Sequence, residues 1–162
     1  MQQATLAIGD ASLDDPAEIA REMGAHLEAF AWTHFVTLTS EGGVSEDVVE
    51  RRFKDVFIRR IAYDARHTIP YFFALEGTAR PGNAPHVHAL IGGTSSLTIR
   101  EVRRAWPFGV TDVRSYDPAR GAATYIAKGL LLNPDNYNVS RKMPSRIDAG
   151  RLPERTRRGS AS

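Results

Sequence analysis

The sequence predicts an α+β domain, in which helices pack against a β-sheet. Helix-start signals recur along the chain, where a capping residue precedes an acidic residue or a proline. Between them lie stretches rich in β-branched and aromatic residues. The resulting order is helix, strand, helix, two strands, helix, strand, helix, with no internal repeat. This order is typical of a sheet covered by helices.

The first part of the chain supplies two helices and one strand. Asp15 and Pro16 mark the start of the first helix, and Glu18 completes a capping box. The apolar residues of this helix recur at helical spacing: Ile19, Met23, Leu27 and Phe30. Residues 32–39 are β-branched and aromatic and predict a strand. Ser45 caps the second helix. The apolar ridge of that helix comprises Val49, Phe53, Phe57 and Ile61.

A β-hairpin is predicted next. Residues 71–77 and 87–91 form its strands, and the proline- and glycine-rich segment between them forms the turn. Alternation of side chains places Glu76 on one face of the first strand. In the second strand, Val87, Ala89 and Ile91 form an apolar face, and His86 and His88 lie on the opposite face.

A short helix, a strand and a final helix complete the predicted domain. Thr98 and Glu101 form a capping box at the start of the short helix, which Pro107 stops. Residues 109–116 predict a strand. Asp117, followed by a proline, begins the last helix. The buried ridge of the last helix comprises Ala122, Ile126 and Leu130.

Length and composition indicate a single folded domain. The chain has 162 residues, of which 42% are hydrophobic and 25% charged, values that are ordinary for globular proteins. The domain is expected over residues 14–134, after an N-terminal segment (1–13) and before a basic, irregular tail (135–162). The absence of cysteine excludes disulfides and thiolate metal sites. No apolar run is long enough to cross a bilayer and no signal peptide is evident, so a soluble, intracellular protein is expected.

The charge is unevenly distributed around a net value of +2. Acidic residues are in excess over the first 55 residues, and basic residues are in excess after residue 140, beginning with Arg141 and Lys142. A basic tail is suited to contacts with phosphates. A solvated, disordered end is the simpler interpretation of the charge alone.

His86 and His88 are candidate metal ligands, because strand side chains two residues apart project from the same face. With the carboxylate of Glu76 on the neighbouring strand, the two imidazoles form a three-ligand set that leaves coordination positions open. Strand histidines and surface carboxylates are also common without a metal. Whether the three side chains converge depends on strand register, which the sequence leaves open.

Tyr125 and Lys128 are candidate catalytic residues, since residues three apart are neighbours on a helix surface. A phenol with a pKa of ~10 is a weak nucleophile at neutral pH, so a nearby cation would favour the phenolate or stabilise charge on a phosphate. A half-buried tyrosine and a solvated lysine are the simpler alternatives. A metal with a tyrosine nucleophile is suited to phosphodiester transfer. The chain has no P-loop, serine-nucleophile elbow or zinc-protease helix.

These motifs resemble those of the HUH endonuclease superfamily, and specifically of the rolling-circle replication initiators of plasmids and phages. Residues 35–39 (Phe-Val-Thr-Leu-Thr) are similar to the family's first strand motif, residues 86–88 to its His-hydrophobe-His motif, and residues 125–128 to its Tyr-x-x-Lys motif. The tyrosine follows the histidines, as in initiators and single-tyrosine transposases and unlike relaxases. Gly129 stands where some phage-like initiators have a second tyrosine, so the chain resembles a single-tyrosine enzyme.

The resemblance implies an antiparallel sheet of about five strands, of the ferredoxin-like or RNA-recognition type. It implies Mg²⁺ or Mn²⁺ held by Glu76, His86 and His88. It also implies attack of Tyr125 on single-stranded DNA to form a 5′-phosphotyrosine, with Lys128 stabilising charge. The candidate DNA contacts, for each of which simple solvation is an equal alternative, are Arg100, Arg103, Arg104, Arg141 and Lys142.

The partner that the resemblance implies is single-stranded DNA or a stem-loop at a replication origin, together with a host helicase or polymerase. The location it implies is the cytoplasm of a prokaryote, with the gene on a plasmid or phage. Three other interpretations stay open: a single-tyrosine transposase, a non-catalytic nucleic-acid-binding module of the same fold, and an unrelated metal-dependent hydrolase. The sequence leaves the origin sequence, the metal and the oligomeric state open.

Overall fold

The computed structural model describes residues 15–77, 84–132, 137–140 and 143–144. The predicted N-terminal segment and most of the predicted tail lie outside these residues. The helices are α1 (Pro16–Glu28), α2 (Glu46–Arg51), a π-helical segment (Arg52–Ile58), α3 (Arg59–Ala65), α4 (Ile99–Arg104), a 3₁₀ turn (Pro118–Arg120) and α5 (Ala122–Leu132). The strands are β1 (Trp32–Thr39), β2 (Tyr71–Glu76), β3 (His86–Gly92), β4 (Thr111–Ser115) and β5 (Tyr137–Val139). None of the described helices has the length and apolar content that crossing a bilayer requires.

The strands form one antiparallel sheet in the order β4-β1-β3-β2-β5. Four strands have five to eight residues, and the edge strand β5 has three. The predicted α+β class, an antiparallel sheet with flanking helices, is confirmed. β5 lies beyond the predicted domain boundary at residue 134 and pairs with β2. The prediction of irregular structure is therefore wrong for these three residues, which are too few to carry a recognisable alternation.

Alternation of side chains gives the sheet two faces with different neighbours. One face, here called the α2 face, packs against α2, the π-helical segment, α3 and α4. Its core includes Val36, Phe53, Phe73, Ala89 and Val102. The opposite face, here called the α5 face, packs against α1 and α5. Its core includes Leu27, Phe72, Leu90, Ala123 and Ile126.

The predicted second helix is continuous from α2 through the π-helical segment to α3. Its predicted ridge is buried, and comprises Val49, Phe53, Phe57 and Ile61. These side chains recur every four residues, so on a regular α-helix with 3.6 residues per turn the row would drift around the axis. The wider turn of the π-helical segment reduces this drift and keeps the row against the sheet.

The first and last helices approach closely because Gly24 of α1 faces Thr124 of α5. A Cβ atom at position 24 would lie 2.6 Å from Thr124 Oγ1, which is shorter than the contacts that Cβ atoms make in folded proteins. The buried positions of α1 are Ala20, Gly24 and Leu27, whereas the predicted Ile19 and Met23 are only partly buried. Glycine at position 24 therefore permits the close approach of α1 to α5.

The last helix begins later than predicted. Asp117 does cap a turn, since its carboxylate accepts a hydrogen bond of 3.0 Å from the backbone N–H of Ala119. That turn is 3₁₀ and ends at Gly121, whose φ of +67° is left-handed and interrupts the helix. α5 starts at Ala122. Tyr125 therefore lies in the first turn of α5.

Candidate metal centre and nucleophile

Strand register brings the three predicted metal ligands together. Glu76 of β2 is paired with His86 of β3, and His88 lies two residues along the same face. The Oε2 atom of Glu76 is 3.2 Å from Nε2 of His88 and 3.5 Å from Nε2 of His86. One potential ligand atom from each residue lies within 4.8 Å of the other two. The predicted grouping of these side chains is present in the structure.

Hydrogen bonds at Nδ1 orient both imidazoles. Nδ1 of His86 is 3.1 Å from the carbonyl oxygen of Ala84, which can only accept, so this nitrogen carries a proton. Nδ1 of His88 is 3.0 Å from Oγ1 of Thr37, and this contact allows the same tautomer. With the proton on Nδ1, the Nε2 atom of a neutral imidazole presents its lone pair towards Glu76.

This cluster fits a divalent cation. Nε2 of His88 lies within hydrogen-bond distance of Oε2 of Glu76. When both imidazoles carry their single proton on Nδ1, two nitrogen lone pairs and a carboxylate converge, and a cation would satisfy all three. Burial lowers the pKa of His88, although the charge of Glu76 opposes the shift. Lowering that pKa favours the neutral form of the ring, which is the form that binds metals.

The ring of Phe35 lies nearly parallel to that of His88, with an angle of 6° between the ring planes and 6.2 Å between the ring centroids.

Tyr125 projects from α5 beside this cluster. Its ring meets that of His88 edge-on, with centroids 5.0 Å apart, and the residue is 49% exposed. Burial raises the pKa of the phenol, and Glu76 raises it further through its charge and a side-chain hydrogen bond. A cation held by Glu76 would offset that charge and favour the phenolate. The phenol is therefore both close to the cluster and accessible to a substrate.

Two further residues of α5 bear on this site. Lys128 is exposed one turn after Tyr125, and it forms no ion pair with any residue that the structure describes. Its ammonium is thus available to an anion bound on this side of the helix. Gly129 faces the cluster, because a Cβ atom there would lie 2.8 Å from Oε1 of Glu76. A larger residue would displace the carboxylate.

The arginines predicted to contact DNA do not join this site. Arg100, Arg103 and Arg104 are exposed on α4, which packs through Val102 on the α2 face of the sheet. The metal ligands lie on the α5 face, because they alternate with core residues of the α2 face. Arg141 and Lys142, the other two candidates, lie outside the described residues. A role for the α4 arginines would require DNA to reach the far side of the sheet.

Residues that were not predicted to belong to the site lie on the open part of the α5 face. Phe35, Thr37, Asp112, Arg114 and Arg120 line a cavity that also borders His88 and Tyr125. Phe35 and Thr37 could have been recognised from the sequence, because they alternate with buried residues along β1 and so share the opposite face of the strand. The contribution of β4 depends on its pairing with β1, which residue patterns do not reveal.

Comparison with known proteins identifies a family. A family model for the replication-associated protein ORF2 matches residues 33–131. This range runs from β1 to α5 and includes all the candidate metal and catalytic residues. No curated protein and no solved structure shows significant similarity to the chain.

Proposed function

The chain belongs to the replication-associated protein ORF2 family, and from this premise we propose that it nicks and rejoins single-stranded DNA to initiate rolling-circle replication. The proposed enzyme depends on a divalent metal, recognises a specific origin sequence and forms a covalent 5′-phosphotyrosine. The observation that carries the proposal is the accessible phenol of Tyr125, whose ring lies 5.0 Å from that of His88 in a cluster suited to a cation.

In the proposed reaction, the Oη atom of Tyr125 attacks the phosphorus of the scissile phosphodiester. A bond from phosphorus to Oη forms while the bond to the 3′-oxygen breaks, and the proton lost by the phenol is balanced by the one that the 3′-oxygen takes up. The products are a 5′-phosphotyrosine and a 3′-hydroxyl that can prime synthesis. Because one phosphodiester replaces another, attack by a 3′-hydroxyl rejoins the strand without ATP.

The positions of the surrounding residues support a proposed role for each of them. Glu76, His86 and His88 would hold Mg²⁺ or Mn²⁺, which when bound supplies Lewis-acid polarisation of the scissile phosphate. Lys128 places a positive charge on the same side of α5 as the phenol and would stabilise charge on the phosphate. The amino-terminal end of α5, next to Tyr125, also favours an anion.

A direct test is to incubate the protein with randomised single-stranded DNA and Mn²⁺, using one pool labelled at the 5′ end and another at the 3′ end. In a denaturing gel the 3′-labelled fragment is expected to migrate with the protein, because the phosphotyrosine is attached to the 5′ end of that fragment. The 5′-labelled fragment is expected to be released with a free 3′-hydroxyl. Chelation of the metal is expected to remove both products.

Three results would contradict the proposal. Free 5′-phosphate ends without a protein-linked fragment would indicate a metal-dependent hydrolase. Binding of stem-loop DNA without any covalent product would indicate a non-catalytic module. A covalent product that forms only on paired hairpin ends, by a dimeric protein, would instead identify a transposase.

Gly129→Ala is expected to weaken Mn²⁺ binding about tenfold, because the added methyl group would displace Glu76 from the histidines. Titration of Mn²⁺ followed by electron paramagnetic resonance measures the affinity. The melting temperature serves as the internal control, since alanine is intrinsically favoured over glycine in a helix by about 1 kcal/mol. Unchanged Mn²⁺ affinity in this variant would show that Glu76 does not need the space that glycine leaves.

A further inference from the structure

A cavity of about 300 Å³ opens beside Tyr125 on the α5 face of the sheet. Tyr125 and His88 both line it, so the cavity borders the candidate metal centre. Phe35 and Thr37 line it from β1, and Asp112 lines it from β4. A substrate whose phosphate lies at Tyr125 would therefore place a neighbouring group in this cavity.

The size and lining of the cavity suit one nucleobase. Its volume lies at the lower end of small-molecule sites, which range over about 300–1,000 Å³. The ring of Phe35 is partly exposed and is held parallel to that of His88. A fixed aromatic ring is a stacking surface for the bases of single-stranded nucleic acid. Bases of a duplex are stacked on each other, so only an unpaired or flipped base could enter.

Asp112 is placed to distinguish one base from another. Strand register pairs Asp112 with Thr37 and Arg114 with Phe35, so both β4 side chains border the cavity. The Asp112 carboxylate is oriented by an ion pair of 2.6 Å with Arg114. An ionised carboxylate only accepts hydrogen bonds, so it favours bases with an exocyclic amino group, which thymine lacks.

Two exposed guanidinium groups lie at the rim of the same cavity. The side chains of Arg114 and Arg120 are 57% and 69% exposed. Exposed arginines at this position can contact the phosphates on either side of a bound nucleotide without reading its base. These arginines lie on the same face as Tyr125, unlike those of α4.

We propose that this cavity binds the base of a nucleotide next to the scissile phosphate, stacks it on Phe35 and selects it through Asp112 for an exocyclic amino group. The inference rests on the proposed nicking activity, because Tyr125 lines both the cavity and the reaction site. It assigns to Phe35 and Asp112 a role in recognising the DNA sequence.

The first test uses an oligonucleotide that the wild-type protein cleaves, in which each of the two nucleotides flanking the cleaved phosphate is replaced in turn by an abasic site. At one of these positions the abasic site is expected to lower kcat/KM for adduct formation about tenfold. Phe35→Leu is expected to lose this sensitivity, since the leucine side chain offers no ring for stacking. Mn²⁺ affinity is measured in parallel, because Phe35 also packs on His88.

The second test places each of the four bases at that position. The wild-type protein is expected to cleave the thymine substrate about tenfold less efficiently than the best base, and Asp112→Asn is expected to reduce this difference to about threefold or less. Asp55→Asn is the matched control, because Asp55 is an exposed, ion-paired carboxylate in the π-helical segment on the α2 face. This control is expected to keep the wild-type preference.

The inference is overturned if abasic sites are tolerated at both flanking positions, or if Asp112→Asn slows all four substrates by the same factor. Either result leaves the nicking activity itself intact. If the wild-type protein forms no covalent adduct on any single-stranded DNA, the proposed function and the inference fail together.

Discussion

Tyr125→Phe is expected to reduce the covalent protein–DNA adduct by about 1,000-fold or more, to background, because the variant lacks the only atom proposed to attack the phosphate. Phenylalanine keeps the ring that meets His88 edge-on, so the fold should be retained. The melting temperature is expected to change by no more than about 3 °C, as for other exposed substitutions. The measurements are the denaturing gel for the adduct and fluorescence anisotropy for the affinity of single-stranded DNA, which is expected to persist.

Tyr63→Phe is the matched control for this variant. Tyr63 is 79% exposed and lies on α3, which packs on the other face of the sheet, so its loss is expected to leave the adduct unchanged. Tyr116 is a poor substitute nucleophile. Its hydroxyl is buried without a hydrogen-bond partner among the described residues, and burial raises its pKa to about 12. An adduct formed by Tyr125→Phe would refute the assignment, and mass spectrometry would then identify the residue that carries the DNA.

His86→Ala is expected to weaken Mn²⁺ binding about 100-fold and to reduce cleavage by a similar factor at limiting metal. The variant removes one of three converging ligand atoms and leaves only Glu76 and His88. His86 is preferable to His88 for this experiment, because the His86 side chain is 25% exposed. The His88 side chain is only 8% exposed and its ring packs against those of Phe35 and Tyr125. Removing the His86 side chain therefore leaves a smaller cavity and should cost less stability.

The measurement combines a Mn²⁺ titration with the adduct assay over a range of metal concentrations. His67→Ala is the matched control, since His67 is an exposed histidine away from the cluster, with Nδ1 at 3.0 Å from the backbone oxygen of Thr68. High Mn²⁺ is expected to restore part of the activity of His86→Ala. Wild-type metal affinity in that variant would exclude His86 as a ligand, whatever its effect on cleavage.

Several features of the fold were predictable because their signals are local. The capping box of Thr98 and Glu101 is present as predicted, with the threonine side chain accepting from the backbone of Glu101 and the glutamate accepting from that of Thr98. The strand from Trp32 to Thr39 has the predicted bounds. Both depend on residues within a few positions of one another, and such residues interact whatever the rest of the chain does.

The errors have equally specific causes. The start of the last helix was misplaced, because the cap at Asp117 is genuine but Gly121 adopts a left-handed conformation that ends the turn. The arginines of α4 stay candidate DNA contacts, and the structure places α4 on the face of the sheet opposite the metal ligands. Charge reveals which residues are solvated and gives no information on which face they occupy.

Residue patterns alone were enough to predict the order of the main elements, the faces of the two hairpin strands, and Glu76, His86, His88 and Tyr125 as candidate site residues. That these side chains lie together could not be predicted and is a result of the folded arrangement. Pairing of Glu76 with His86 depends on register, and orientation of His88 depends on Thr37, 51 residues away in the chain. Capping and alternation arise from neighbouring residues, whereas register and helix packing arise from contacts between distant segments.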